Sequence, residues 1–269
     1  LEPIEPGIRL IDKGDVKKMG GRAAQQAMNS GVSAYLGGII GMGNQVSTNS
    51  ASSNTGTESI IEAYHRIKYG YAERMLAGSS EGNSQYIWAG SDCMMIDDCI
   101  FDDNTSGVYA AAPGFRDNPE QASAPMSTNA VGFVHGSGAG AVVLESLESA
   151  LARNADIYAE IIGGQVNAGG TRSEARTHFM NGHEGMVRCI QEAIADSKLS
   201  PERIDLISGD LTSSLERDLH EIRAWSQALG VEPANFPRVN ALKSMIGYCN
   251  GAAGSIESVA CILQLYADF

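Results

Sequence analysis

The chain has 269 residues, of which 43% are hydrophobic and 19% charged, and this composition predicts a soluble globular protein with a large core. Its longest weakly polar stretch, residues 31–43, is interrupted by glycines and is too short to span a bilayer. The net charge of −13 would repel the phosphate backbone of a nucleic acid. We therefore expect neither membrane insertion nor a nucleic-acid partner.

Hydrophobic periodicity and glycine positions predict alternating helices and strands along the chain. In the first half they predict a helix over 22–28, a small-residue run over 31–37, a strand over 45–48, a helix over 57–69 capped by Gly70, a strand over 74–78 and a surface excursion over 97–125. In the second half they predict a glycine-rich turn over 136–140, strands over 141–145, 157–162, 204–208 and 238–240, and helices over 147–153, 185–197, 215–229 and 251–266. This alternation predicts a layered α/β architecture.

The cysteines are scattered without a C-x-x-C pair, and their odd number argues against a complete disulfide framework. No basic-plus-apolar export signal opens the chain. We therefore expect reduced, buried thiols and a cytoplasmic location. The cysteines are Cys93, Cys99, Cys189, Cys249 and Cys261.

Two glycine patterns, Gly38-x-x-Gly41-x-Gly43 and Gly136-x-Gly138-x-Gly140, invite a dinucleotide-binding interpretation. Neither combines a preceding strand, the required glycine spacing and a later ribose-binding acid. We interpret both as close backbone packing. The sequence predicts no cofactor and no metal site.

The run Ala51-Ser52-Ser53-Asn54-Thr55-Gly56 falls between a predicted strand and a predicted helix. An acyl-transfer enzyme would present its nucleophile there, because a helix N-terminus favours a thiolate and backbone N–H groups hold an oxyanion. This run offers only hydroxyls. A serine without a base is a poor nucleophile, since a helix dipole contributes only about 1 kcal/mol. An ordinary helix cap is the alternative interpretation.

Four segments, in order over nearly the whole chain, carry a family pattern. They are Met28 to Ala34, Gly132 to Glu145, Arg153 with Ile157 to Glu160, and Lys243 to Met245 with Gly251 to Gly254. The second is similar to G-F-V-x-G-x-G-A-G-x-x-V-L-E, and the fourth to K-S-M-x-G-H-x-x-G-A-A-G. In these segments the chain resembles the β-ketoacyl-acyl-carrier-protein synthases, the condensing enzymes of fatty acid and polyketide synthesis.

The resemblance implies a thiolase-like α/β fold, with two similar halves in a layered αβαβα sandwich. The halves would be residues 1–155 and 156–269, each of them partial. We expect the chain to be incomplete at both ends, because about a third of the usual family length is absent. The resemblance also implies a homo- or heterodimer, and we expect residues 31–50 to be the strand region at its interface.

The resemblance further implies an acyl-accepting cysteine and two histidines that stabilise an enolate. Counting back from Gly70 puts the cysteine position at Ser53, with Ser52 as the alternative. The first histidine position is occupied by Asp210, in the turn 208–214. A carboxylate there would repel a developing enolate unless burial raised its pKa enough to keep it neutral.

The second histidine position, five residues after Lys243, is occupied by Tyr248. A phenol there could still donate one hydrogen bond. Lys243, Asp218 and Glu221 match the supporting lysine and acidic positions of the family, and the two acids lie eight and eleven residues after Asp210. Solvated surface charges are the alternative interpretation of these side chains.

The remaining candidate side chains miss the two histidine positions. His135 lies in the glycine-rich turn and could approach the pocket, but a structural histidine is the preferred interpretation. Cys249 neighbours Tyr248, and we interpret it as packing. The histidines of the chain are His65, His135, His178, His183 and His220.

The absence of cysteine and both histidines from their family positions predicts a noncatalytic subunit that resembles the chain-length factors. Its partners would be an active ketosynthase subunit, or a second copy of itself, and an acyl carrier protein. The alternative is an active 3-oxoacyl-carrier-protein synthase, with Ser53 as acyl acceptor and Asp210 and Tyr248 as polar helpers. A hydrolase that uses Ser53 on acyl thioesters is a third possibility, but no Asp-His pair is placed to activate it.

Overall fold

A computed structural model describes residues 4–21, 23, 28–82, 119–130, 132–169 and 182–267. Across these ranges no helix has the length and apolar character needed to cross a membrane. Several predicted features lie outside the described residues: Cys93, Cys99, His178, nearly all of the helix over 22–28, and the surface excursion up to residue 118.

Helices and strands alternate along the described chain. The α-helices are α1 (Ile4–Asp12), α2 (Gly31–Ile40), α3 (Thr55–Lys68), α4 (Leu147–Ala152), α5 (His183–Ser197), α6 (Leu215–Leu229), α7 (Lys243–Ile246) and α8 (Ala253–Ala267). The strands are β1 (Arg74–Glu81), β2 (Gly138–Glu145), β3 (Leu206–Ser208) and β4 (Arg238–Asn240). Short 3-10 helices at Ser52–Asn54 and Asn250–Ala252 precede α3 and α8.

The strands of the described residues form two small sheets. Strands β1 and β2 pair antiparallel, with Arg74 opposite Glu145, and β3 and β4 pair parallel, with Leu206 opposite Arg238. Helix α3 covers the first sheet through a core of four buried side chains, and α8 packs against β2 and α3. The core side chains are Ile60, Ala63, Ala77 and Leu144. The sheets therefore bring the start of α3 and the start of α8 to the same region.

Most predicted elements have the predicted type and nearly the predicted ends. The helix over 57–69 is α3, and Gly70 follows it with a left-handed φ of 77°, which a glycine adopts without strain. The helix over 215–229 and the strand over 238–240 have the predicted bounds. Local hydrophobic spacing was sufficient for the two helices because each buries one face.

The interface prediction for residues 31–50 is wrong in its secondary structure, because residues 31–40 form a helix and not a strand. Gly41 ends this helix with a φ of 74°, and its N–H and that of Met42 both bond to the Gly37 carbonyl. The predicted strand over 45–48 is also absent, since the described residues offer it no partner strand. A strand needs a ladder as well as suitable side chains.

Two further predictions need correction. Residues 157–162 form no strand with any described neighbour, and Ile157, Tyr158 and Ile162 are exposed. The glycine-rich turn over 136–140 is shorter than predicted, because β2 already begins at Gly138. Gly140 can lie in the strand because its backbone touches the start of α8, where a side chain would not fit.

The starts of α3 and α8 cross at backbone contact. A Cβ on Gly56 would lie 2.5 Å from the Ser255 amide nitrogen, and a Cβ on Gly254 would overlap Thr57. Beside this seam, the hydroxyls of Ser79 in β1 and Ser255 in α8 are hydrogen-bonded to each other at 2.6 Å. Glycines at the crossing thus set the approach of the Ser53 turn to the segment that begins α8.

We predict that Gly140→Ala destabilises the fold by about 1–3 kcal/mol, as overpacking does elsewhere. The new Cβ would lie 2.7 Å from the Ile256 amide nitrogen and 2.7 Å from the Ser255 carbonyl carbon, and neither backbone atom can move freely. Urea unfolding monitored by circular dichroism measures the change.

The matched control is Gly38→Ala in the exposed face of α2, where a Cβ would meet nothing within 4 Å. This variant should be unchanged or more stable by up to about 1 kcal/mol, because alanine is the better helix former. Equal losses in the two variants would contradict the packing argument.

Candidate active site

Ser53 lies in the 3-10 turn Ser52–Asn54, immediately before α3. Its hydroxyl is hydrogen-bonded to the Tyr248 side chain. Ser52, the alternative nucleophile position, has a left-handed φ of 53°, which is a strained conformation for serine. Two features therefore occur together at the N-terminus of α3: the hydrogen bond of Ser53 to Tyr248 and the strained backbone of Ser52.

Tyr248 is held from both its backbone and its ring. Its amide donates to the Val134 carbonyl at 2.6 Å, and its carbonyl accepts from the Gly136 amide at 2.9 Å. The Phe133 ring meets it edge-on, with ring centroids 5.4 Å apart. Burial, and then the charge of Asp210, raise the pKa of the Tyr248 phenol. It therefore keeps its proton and can donate a hydrogen bond at neutral pH.

Lys243 supplies the charge at the centre of the site, and its side chain is only 2% exposed. Its Nζ lies 2.8 Å from Asp210 Oδ1 and 2.5 Å from Glu257 Oε1. The same Nζ lies 5.5 Å from the centre of the Tyr248 ring. One buried ammonium group therefore joins the turn that carries Asp210 to helix α8.

Asp210 stays ionised in this arrangement. Its Oδ1 contacts Lys243, and its Oδ2 contacts Arg217 Nη2 at 3.3 Å. Burial opposes ionisation of this carboxyl, but the two positive charges outweigh that effect and leave its pKa below the ordinary value. Asp210 is therefore not a neutral acid, and the first histidine position of the family carries an anion.

Glu221 and Asp218 hold the turn that presents Asp210. The two carboxylate oxygens of Glu221 accept from the Asp210 and Leu211 amides at 2.9 and 3.0 Å. Asp218 is fully buried and accepts from the Met126 amide at 2.9 Å, so the interpretation as a solvated surface charge is wrong for it. Burial raises the pKa of both carboxyls.

Sequence reasoning missed Glu257, which completes the ion-pair cluster. The only signal was that it is the sole charged residue of α8, whose other side chains are mostly apolar. Burial raises the pKa of Glu257 to about 7, against the opposing charge of Lys243. A carboxyl that titrates near neutrality therefore lies next to the buried lysine.

The other candidates lie near the site or away from it. His135 pairs with Tyr248 through a parallel backbone bridge, and its ring meets Phe133 edge-on at 5.0 Å. His183 accepts or donates a hydrogen bond with Gln227 between α5 and α6, while His65 lies on α3 beside Tyr64. Cys249 is buried and free, in keeping with a packing role, and Cys189 and Cys261 are also free but only half-buried.

The structure therefore brings together Ser53, Tyr248, Asp210 and Lys243, which are distant in sequence, with Glu221 supporting the turn from behind. Asp218 holds the same turn and a neighbouring loop, but its described contacts do not include Lys243. Chemically, the site offers two hydroxyls and an ionised carboxylate neutralised by two cations. It presents no thiol at the helix N-terminus.

Known proteins resemble the chain along most of its length. Residues 158–269 match the family described as beta-ketoacyl synthase, C-terminal domain. The chloroplastic 3-oxoacyl-[acyl-carrier-protein] synthase I of Arabidopsis thaliana is 34% identical, over 87% of this chain and 45% of that protein.

Two solved structures share the fold. A type II polyketide synthase acyl-carrier protein in complex with its ketosynthase bound to the hexaketide matches with a TM-score of 0.77 and 30% identity, over 91% of this chain and 56% of that chain. The ishigamide ketosynthase/chain length factor matches with a TM-score of 0.79 and 25% identity, over 98% of this chain and 59% of that chain.

The chain belongs to the β-ketoacyl synthase family, and its fold is the thiolase-like α/β fold. Both statements confirm what the resemblance of the sequence motifs implied. The chain spans about half the length of its curated relatives, from 39% of one to 60% of another.

We predict that Lys243→Met destabilises the protein by about 3–5 kcal/mol, because it removes a buried cation that two carboxylates share and leaves the mostly buried Glu257 without its partner. Lys68→Met is the matched control, since Lys68 forms its ion pair with Asp196 where both side chains are partly exposed. Its effect in urea unfolding should be small. Comparable losses would show that burial does not decide the energy of these pairs.

We predict that Glu257→Gln changes how stability depends on pH. The folded protein holds the Glu257 proton up to about pH 7, whereas the unfolded chain releases it near pH 4.5. Its contribution to stability is therefore complete below pH 4.5 and is lost as the pH rises to about 7.

The shift corresponds to roughly 3 kcal/mol. The free energy of unfolding of the variant, relative to the parent, should therefore rise by a similar amount between about pH 4.5 and 7 and then stay level. Urea unfolding at a series of pH values measures it. Parallel curves for variant and parent would contradict the raised pKa of Glu257.

Proposed function

We propose that the chain is a noncatalytic, chain-length-factor-like subunit of fatty acid or polyketide synthesis. It would pair with an active 3-oxoacyl-acyl-carrier-protein synthase and complete the acyl pocket of that partner. The observation that carries the proposal is the Asp210 carboxylate, ion-paired to Lys243 and Arg217 at a position where the family resemblance implies a histidine.

An anion at this position opposes condensation. Decarboxylation of a malonyl thioester develops negative charge on an enolate oxygen, which needs hydrogen-bond donors around it. Asp210 is ionised and offers only acceptor oxygens. Loss of a single oxyanion donor costs about 10²–10³-fold in rate in other enzymes, and a repelling charge adds to that loss.

Ser53 is also poorly suited to accept an acyl group. Its hydroxyl is hydrogen-bonded to Tyr248, whose raised pKa leaves no phenolate at neutral pH to remove the serine proton. The N-terminus of α3 would favour an anion, but only by about 1 kcal/mol, which is far from enough to ionise an alcohol. The serine and the carboxylate thus support the same noncatalytic role.

The exposed apolar side chains of helix α2 support the proposal of a partner subunit. Five of its apolar side chains are exposed, and no Asp, Glu, Lys, Arg or His occurs from residue 23 to residue 57. The exposed side chains are Val32, Tyr35, Leu36, Ile39 and Ile40. An uncharged apolar face allows association despite a net charge of −13.

We propose an active ketosynthase as this partner, and a second copy of the chain is the alternative. Acyl carrier protein would be the transient partner, and the cytoplasm would be the location.

The second candidate function is an active 3-oxoacyl-acyl-carrier-protein synthase with an altered site. The strained φ of 53° at Ser52 favours it, because strained backbone is common at catalytic turns. In this case Ser53 would accept the acyl group, and Tyr248 would donate a hydrogen bond to the developing oxyanion.

We predict that intact-protein mass spectrometry finds no acyl adduct on the chain after incubation with an acyl carrier protein thioester. A ketosynthase that co-purifies with the chain should be acylated under the same conditions. A stable adduct that peptide mapping places on Ser53, and that Ser53→Ala abolishes, would overturn the noncatalytic role and establish the second candidate.

The matched control is the triple variant Ser53→Cys, Asp210→His, Tyr248→His. It restores the thiol and both imidazoles, so an adduct on residue 53 should appear in this variant if the pocket still admits acyl chains. Acylation of the variant without acylation of the parent would show that the substituted side chains, and not a blocked pocket, silence the parent.

A further inference from the structure

Residues 119–130, which we call the strap, contact Lys243, Ser213 and Asp218 beside the site. The strap begins with the 3-10 turn Pro119–Gln121 and contains no other helix or strand. Ala122 and Ala130 are buried, so both of its ends are anchored by packing. Between these anchors the strap has turn hydrogen bonds of its own and further hydrogen bonds to residues of other elements.

Those hydrogen bonds end on the elements that build the site. Ser213 and Asp218 provide three acceptors, and the backbone of Lys243 provides the fourth. The bonds are Ser123 Oγ to the Lys243 carbonyl at 2.6 Å, the Ala124 amide to Ser213 Oγ at 2.9 Å, the Met126 amide to Asp218 Oδ2 at 2.9 Å, and the Gly132 amide, just after the strap, to the Ser213 carbonyl at 2.8 Å.

The acceptors are placed so that the bonds are costly to break. Ser213 and Asp218 are both 0% exposed, and an opened bond would leave a buried polar group without a partner. The backbone is strained on both sides, with a φ of 62° at Met126 and 69° at Ser213. Such conformations persist only where the surrounding structure holds them.

Ser213, which accepts from the strap, also accepts from the Gly132 amide, next to the ring contact that supports Tyr248. Phe133 follows Gly132, is buried, and packs edge-on against the Tyr248 ring at 5.4 Å. Tyr248 in turn bonds to the Ser53 hydroxyl. Hydrogen bonds therefore lead from the strap through Ser213 to Gly132, and the neighbouring Phe133 leads through one aromatic pair to the two hydroxyls of the site.

We propose that the strap is a latch that positions Tyr248 against Ser53, and that Ser213 and Asp218 are the positioning residues that fasten it. When the latch opens, Phe133 loses its support and the Tyr248 ring moves relative to Ser53. The proposal concerns the geometry of the site and holds for either function considered above.

Hydrogen exchange followed by mass spectrometry tests the fastening. Ser213→Ala removes the acceptor of the Ala124 amide, so exchange across the strap should rise by at least about tenfold. The control is Ser255→Ala, which removes an equally buried hydroxyl that bonds to Ser79 and not to the strap. Exchange of the strap should stay within about twofold of the parent in the control. Equal increases in the two variants, or none in Ser213→Ala, would overturn the proposal.

Fluorine NMR of the protein labelled with 3-fluorotyrosine tests the link to the site, because a residue that only stabilised the fold would not move this signal. The resonance that disappears in Tyr248→Phe is assigned to Tyr248. That resonance should shift or broaden in Ser213→Ala and in Asp218→Asn, while it stays in place in Ser255→Ala. An unmoved Tyr248 resonance in variants with increased strap exchange would refute the positioning role.

The parent protein provides a test that needs no folded variant. If the strap opens as one latch, the Ala124 and Met126 amides should exchange with the same opening free energy, below that of the α3 core. Peptides resolved to single amides give both values. Two clearly different opening energies, or exchange only through global unfolding, would rule out a separate latch.

Discussion

The ammonium group of Lys243 is almost completely withdrawn from water, and its charge constrains everything around it. A buried cation costs several kcal/mol unless carboxylates and hydrogen bonds replace its hydration. Asp210 and Glu257 do so, and they come from two separate elements, the turn before α6 and the helix α8. Neither element can shift independently while both carboxylates hold the same nitrogen.

Backbone contact between helix starts is the second constraint. Glycines at positions 56, 140 and 254 allow α3, β2 and α8 to approach without side chains between them. The Ser53 turn therefore lies close to the segment that carries Tyr248, and a hydroxyl pair forms across the seam. The glycines therefore set the distance between α3, β2 and α8, and the ion cluster around Lys243 sets the orientation of the Asp210 turn relative to α8.

These two constraints give the site a charge pattern that differs from the cysteine and two histidines implied by the family resemblance. The cations that surround Asp210 are neutralised by the protein itself, and Tyr248 already bonds to Ser53. These charged and hydroxyl groups bond to one another and stabilise the folded chain, so few of them are directed at charge that would develop on a ligand. The noncatalytic function proposed above rests on this difference.

The sequence by itself determined the helices that bury one face, such as α3 and α6, and the family motifs determined which positions to compare. These features depend on local spacing, which a single sequence displays. It could not show that residues 31–40 are helical or that residues 157–162 lack a ladder, because a strand depends on partners elsewhere in the chain. Only the tertiary structure decided the ionised state of Asp210 and the role of Glu257, since both depend on charges that the fold brings within about 3 Å of each other.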